Sequence, residues 1–188
     1  MTVILTTDRL ILRNWTEEDR SLFHEINSDP DVMEFFAFRR DRAEADSMLD
    51  TIRDSIATTG LGFYAMALKE TDEPIGFCGL WKPKLEPFLP AGTIEVGWRL
   101  VRRHWGKGYA TEAGTAALGH GFTQFDPSEI VSFAVTDNHR STAVMHRLGL
   151  HHEPDRDFDH PSIPDTHPHL KRHVLYTITR QQWERCIG

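Results

Sequence analysis

The sequence predicts a mixed α+β fold, a central and mostly antiparallel sheet with helices on both faces. Segments of period-two and helical apolar spacing follow one another as strand, two helices, three strands, helix, strand, helix and a closing strand region. Two of the strand-like runs are joined by one short polar turn, as in a hairpin. One strand-to-helix junction carries a basic, glycine-containing turn. With 188 residues and 39% hydrophobic content the chain can bury one good core, and it reads as a single domain over residues 1–188.

Arg9-Leu10-Ile11-Leu12-Arg13 reads as the first strand. Thr16 can cap the helix that follows, whose first turn holds Glu17, Glu18 and Asp19 and whose buried side holds Leu22, Phe23 and Ile26. Asp29-Pro30 stops it. Ala45, Met48, Leu49, Ile52 and Ile56 give a second helix over 44–58, ending near Gly60. Strands over 63–68 and 75–81 flank the polar turn 70–74. After a Pro-rich loop over 83–90, the strand 94–100 sends Ile94, Val96, Trp98 and Leu100 to one face and Glu95, Gly97 and Arg99 to the other. Gly97 is a candidate bulge or point of close approach. Ala110, Ala113, Ala117, Leu118, Phe122 and Phe125 mark a small-residue helix suited to packing on a sheet. A short strand over 130–135 and a helix over 138–148 follow, with Asn138 as N-cap and Gly149 as terminator. A His-, Asp- and Pro-rich loop over 151–169 leads to a last strand over 174–179.

The basic turn is the most informative stretch. Arg99, Arg102, Arg103 and Lys107 are crowded into nine residues of a chain with a net charge of -7, and Gly106 and Gly108 are threaded among them. The first amides of a helix lack internal partners and carry partial positive charge, so an anion is stabilised there. Glycines admit left-handed backbone and leave no Cβ between amides and ligand. Phosphate binding and an ordinary solvated loop both fit this spacing. Neither usual nucleotide signature is present.

A pI near 5.8 with one basic turn argues against nucleic-acid binding. No segment reads as a signal peptide or as a bilayer span, and the isolated Cys78 and Cys186 give no disulfide framework, so a cytoplasmic location without membrane association is expected. The six histidines at 151, 152, 160, 167, 169 and 173 show no recognised ligand spacing, and no metal is expected.

At this point the chain resembles the GNAT superfamily of acyl-CoA-dependent N-acetyltransferases, whose motif Arg/Gln-x-x-Gly-x-Gly/Ala is matched by Arg103-His104-Trp105-Gly106-Lys107-Gly108. Further stretches are similar to the RimJ/RimL ribosomal-protein acetyltransferase branch: residues 5–13, Asp29-Pro30-Asp31-Val32-Met33, and residues 135–141 before Leu148-Gly149-Leu150. The resemblance implies a splayed strand pair, 95–100 against 130–135, holding acetyl-CoA. It implies backbone pairing of pantetheine with Trp98, Leu100 and Val101, and a diphosphate wrapped by the amides of Arg103, His104, Trp105, Gly106, Lys107, Gly108, Tyr109 and Ala110. Arg103 and Lys107 are either phosphate contacts or solvated cations. Asn138 would touch pantetheine, with helix capping as a role it could fill at once.

Acetyl transfer needs a neutral amine. At pH 7 deprotonation costs about 1.4 kcal/mol for an α-amine of pKa about 8 and about 4.6 kcal/mol for lysine at about 10.4. Glu95 is the candidate general base, with an ion-pair or solvent-facing role as its alternative. A strand N–H near 98–100 would polarise the thioester carbonyl. Ser141 is the candidate acid for the departing sulfur, or a residue bonded locally to backbone; relatives often place a Tyr in this helix, and Tyr64, Tyr109 and Tyr176 all lie elsewhere. Phe35, Phe36 and Phe38, with the loops 83–90 and 151–169, would border an acceptor channel. The acceptor is an amine, either a protein N-terminus or a small molecule, and a non-catalytic acyl-CoA-binding domain is the alternative of another class. Open sheet edges and the His-rich loop fit a homodimer.

Overall fold

The computed structural model of the chain describes residues 2–187. Nine strands form one sheet: β1 Val3–Thr6, β2 Leu10–Arg13, β3 Gly62–Leu68, β4 Pro74–Trp81, β5 Ile94–Leu100, β6 Glu129–Val135, β7 His151–His152, β8 Phe158–Asp159 and β9 Arg172–Thr179. The spatial order is β1-β2-β3-β4-β5-β6-β9-β7, with β8 also on β9. Every described pairing is antiparallel except β5 with β6, so the predicted class holds.

The helices are α1 Arg20–Ser28, α2 Arg42–Thr59, α3 Tyr109–Gln124, α4 His139–Arg147 and α5 Arg180–Ile187. The chain enters α1 through a 3-10 turn, Glu17–Asp19, fastened by the reciprocal capping box of Thr16 and Asp19. α2 starts at Arg42, behind its Asp41 cap and two residues before the predicted start, and ends where Gly60 turns left-handed at φ 77°. On one face of the sheet, Phe23 of α1 meets Phe77, and Phe63 stacks on both Phe77 and Trp81. On the other face α3 is buried through Ala113, Gly114, Ala117, Leu118, Gly121 and Phe122, small residues that let it lie close to the strands. Trp183 of α5 stacks on Phe122. A smaller apolar cluster joins Leu85 and Leu89 of the Pro-rich loop to Val131, Phe158 and Leu175.

Three features depart from expectation. β1 and α5 were not anticipated, because Val3–Thr6 is a short edge strand and Arg180–Ile187 has few apolar residues. The His-rich loop contains the two-residue strands β7 and β8. Gly97 is not a bulge: the β4–β5 register runs unbroken from Gly76↔Leu100 to Trp81↔Glu95, and the glycine instead admits the Phe63 ring, whose edge would lie 2.9 Å from a Cβ there.

Arg13 and Asp19 make a bidentate pair at 2.6 and 3.0 Å, only 3% and 2% exposed. Asp19→Ala leaves that buried guanidinium with only the longer carboxylate contact to Asp72 at 3.4 Å, so a loss of about 3 kcal/mol is expected, read as a lower urea midpoint at unchanged slope.

Candidate active site

β5 and β6 pair only at Ile94↔Ile130 and Glu95↔Val131; from Val96 onward β5 has no partner on that edge, while β6 stays with β9 to Val135↔His173. The strands therefore diverge into a cleft. Val101 donates its N–H to the Ile75 carbonyl of the preceding strand at 3.1 Å. Successive strand residues turn their backbone groups to opposite edges, so the amides of Trp98 and Leu100 face the cleft.

Beyond the cleft, residues Arg102–His104 form a 3-10 turn, Gly106 and Gly108 adopt φ of 73° and 82°, and α3 begins at Tyr109. Both glycines are exposed, and a Cβ at Gly106 would meet nothing within 4 Å. Among the described residues, the amides of Gly106, Lys107, Gly108, Tyr109 and Ala110 have no internal acceptor; the first helical bond is Glu112 N–H to the Gly108 carbonyl, 3.0 Å. These free donors, with that of Thr111, stand at a helix start beside two exposed glycines. The turn is held from behind. Arg9 reaches the Lys107 carbonyl at 3.0 Å and the Glu112 carboxylate at 2.6 Å, and Thr7 donates to Glu112 at 2.6 Å. Burial works against ionisation of Glu112, but the hydrogen bonds from Thr7 and Arg9 outweigh it and hold its carboxyl below the usual value.

Parts of the expected cofactor set need correction. Val101 has both backbone groups in use, its N–H on Ile75 and its carbonyl accepting from His104, so it has no backbone pairing left for pantetheine. The amides of His104 and Trp105 are likewise spent inside the 3-10 turn. Trp105 donates its indole N–H to the Leu100 carbonyl at 2.8 Å, and His104 is buried with Nε2 3.5 Å from Glu73. These residues build the turn from within. Arg103 pairs with Glu25 at 2.5 Å and Arg102 pairs with Asp31, whereas Lys107 has no ion-pair partner among the described residues.

Glu95 lies on the opposite face of β5 from Trp98, across from Trp81 on one side and Val131 on the other. No cation pairs with it among the described residues, and the cross-strand ion-pair alternative therefore fails. Burial alone pushes its carboxyl up to about 8. Asn138 caps α4, its Oδ1 accepting from Ser141 N–H at 3.1 Å, and its side-chain amide N–H has no partner among the described residues. Ser141 sits in the first turn of α4, and among the described residues its hydroxyl has no hydrogen-bond partner; the local bond is made by its amide instead. Glu95 and Ser141 do not touch through a hydrogen bond.

A model of the Acetyltransferase (GNAT) domain family matches residues 9–151, most of the chain and all of the cleft. The chain belongs to the GNAT acetyltransferase family. It is 32% identical over 151 residues to an uncharacterized N-acetyltransferase, p20, of Bacillus licheniformis, covering 79% of this chain and 83% of that protein. A GNAT-family acetyltransferase from Bacillus anthracis superposes with a TM-score of 0.76 at 22% identity, covering 96% of this chain and 99% of the other. The aminoglycoside acetyltransferase AAC(6')-Ib, solved in complex with coenzyme A, superposes at 0.75 with 19% identity over 95% of this chain and 99% of its own. At those identities the two structures show the GNAT fold alone.

Within this GNAT domain several residues around the cleft escaped the sequence reading. Arg9 and Thr7 fix the Gly turn through Glu112, a contact across more than 100 residues that no local pattern signals. Asn27, fully buried, accepts from Arg99 at 2.7 Å through Oδ1 and from the Arg40 amide at 2.9 Å through its carbonyl. The histidines at 160 and 173 pack with Phe133 and Phe158 in an aromatic cluster, and burial lowers both, His160 to about 4. No group of three metal-ligating side chains is assembled among the described residues, and no described helix is long and apolar enough to cross a membrane.

Proposed function

We propose that this chain is an acetyl-CoA-dependent N-acetyltransferase acting on a primary amine, in a single domain of the RimJ/RimL-like type. The observation that carries the reading is the row of free amides from Gly106 to Ala110 at the mouth of the β5–β6 cleft. Coenzyme A would lay its diphosphate on those amides, with Lys107 adding charge, and its pantetheine arm along the open edge at Trp98 and Leu100. Asn138 can donate its free amide N–H to the arm while keeping the cap. The two free thiols, Cys78 and Cys186, fit a reducing cytoplasm.

In the reaction the neutral amine, its ammonium proton already released to solvent, attacks the thioester carbonyl carbon through nitrogen and passes the proton that the new C–N bond makes acidic to Glu95, directly or through water. A cleft-facing amide at Trp98 or Leu100 holds the resulting oxyanion. The intermediate collapses, the C–S bond breaks, and the thiolate takes a proton from Ser141 or water. A carboxyl at about 8 is well matched to this task, because a base works best with a pKa near the working pH. Ser141→Ala separates the two proton sources: a fall of about tenfold or more in kcat at unchanged acetyl-CoA affinity assigns the hydroxyl, and full activity assigns water.

Thiol release on mixing the protein with acetyl-CoA and a panel of peptide and small-molecule amines tests the reading. Turnover with any primary amine supports it. Affinity for acetyl-CoA without turnover would instead mark a binding domain.

A further inference from the structure

The face of β5 that carries Glu95 also carries Arg99, with Gly97 between them. A strand advances about 3.3 Å per residue, so Glu95 and Arg99 stand about 13 Å apart along β5, with the Phe63 ring packed over Gly97 between them. Arg99 is held flat by Phe36, 4.2 Å from its guanidinium, and by Phe77 at 5.4 Å. Arg40 lies on Phe38 at 4.7 Å, and the Phe36 and Phe38 rings are 6.2 Å apart. Asn27 ties the two arginines together, one by side chain and one by backbone. Two cations are thus gathered in one place.

Neither has an acidic partner. Among the described residues no carboxylate lies within ion-pair distance of Arg99 or Arg40, although every other arginine about the cleft mouth that is named above is paired. The Arg40 Nε is buried and makes no hydrogen bond. Burial and the neighbouring Arg40 together hold Arg99 down to about 9, the signature of cations left uncompensated. Arg40 also lines a cavity of about 610 Å³ that runs along α2 past Met48 to Trp81, the residue directly across from Glu95. Glu44 borders the same cavity, but its carboxylate is turned to the Asp41 amide at 3.0 Å as part of the α2 cap. A half-buried guanidinium pair with no carboxylate partner is costly, and an anion from outside the chain would relieve it.

We propose that Arg40 and Arg99 form a carboxylate subsite, so that the acceptor is an amine bearing a carboxylate several bonds from its nitrogen, with the amine beside Glu95. This rests on the acetyltransferase reading. It disfavours polycationic acceptors such as polyamines and aminoglycosides, which the two arginines repel.

The test uses matched acceptors that differ only in the remote group: 5-aminopentanoate against its amide, and dipeptide amides whose second residue is Glu or Gln. The carboxylate member of each pair is expected to have kcat/KM at least about tenfold higher, mostly through KM. Arg40→Gln should abolish that preference and Arg40→Lys should restore part of it, a rescue that a purely structural arginine would not show. Arg99→Gln is the parallel variant, and Arg40→Gln keeps the test decisive should Arg99→Gln fail to fold. Equal kcat/KM within the pairs, a preference for polycations, or a carboxylate preference that survives in Arg40→Gln would overturn the subsite while leaving acetyl transfer standing. Acetyl-CoA binding without turnover of any amine would overturn both.

Discussion

Glu95→Gln is expected to lower kcat for amine acetylation by about 100-fold or more while leaving acetyl-CoA affinity unchanged, because general-base assistance contributes about 10²–10⁴-fold. Affinity should hold because the contacts proposed for coenzyme A come from backbone amides and Asn138, which Glu95→Gln leaves unchanged. The pH dependence gives a sharper signature. With the carboxyl at about 8, only a minor fraction is ionised at pH 7, so kcat/KM should rise with pH and level off above about 8. An acceptor amine of pKa well below 7 keeps the amine's own ionisation out of the profile. In Glu95→Gln that rising limb should vanish, and a limb that persists would remove Glu95 from the chemistry.

The same group leaves a mark on stability. Its folded value lies above its ordinary 4.5, so the folded protein retains a proton that the unfolded chain has released. The contribution of the neutral carboxyl is fully present below about 4.5 and is lost as pH rises through about 8. Glu95→Gln removes this loss, so its thermal midpoint should gain on that of the parent protein as pH rises across the window.

The second large effect concerns the Gly turn. Gly106→Val with Gly108→Val should weaken acetyl-CoA binding by about 100-fold or more, since losing two amide bonds to a charged diphosphate, each worth about 1.5–3 kcal/mol, is enough. Two causes act together. Non-glycine residues resist φ of 73° and 82°, so the amides turn away, and side chains enter the space where the oxygens would lie. Acetyl-pantetheine, which lacks the diphosphate, should bind the variant and the parent protein alike. Calorimetry on the two ligands reads both results. Equal weakening for both would point to a collapsed cleft instead of a lost phosphate site.

Much of this arrangement was legible before any coordinates. The alternation of Ile94 to Leu100 placed Glu95 and Arg99 on one face and Trp98 on the other, because strand period is a local property. Asn138 as cap and Gly60 and Gly149 as terminators were legible for the same reason, each being a short-range hydrogen-bonding or φ requirement. The amides that the 3-10 turn consumes were not, since nothing in Arg102-Arg103-His104 separates a 3-10 turn from extended backbone. Contacts between distant segments were also hidden. Arg40 lies in a loop before α2, and only folding brings it to Asn27 and Arg99. The elevated carboxyl of Glu95 needs the same information, because its cause is burial among strands contributed by residues 62 to 135.

The central claim is that the Gly106–Ala110 amides grip the diphosphate of coenzyme A. An amide-resolved NMR titration of the labelled protein tests it most directly. Coenzyme A should move the Gly106 and Gly108 N–H resonances strongly, as expected of new bonds to phosphate, and pantetheine should leave them in place. Binding of coenzyme A with those resonances unmoved, or an equal shift with pantetheine, would contradict it.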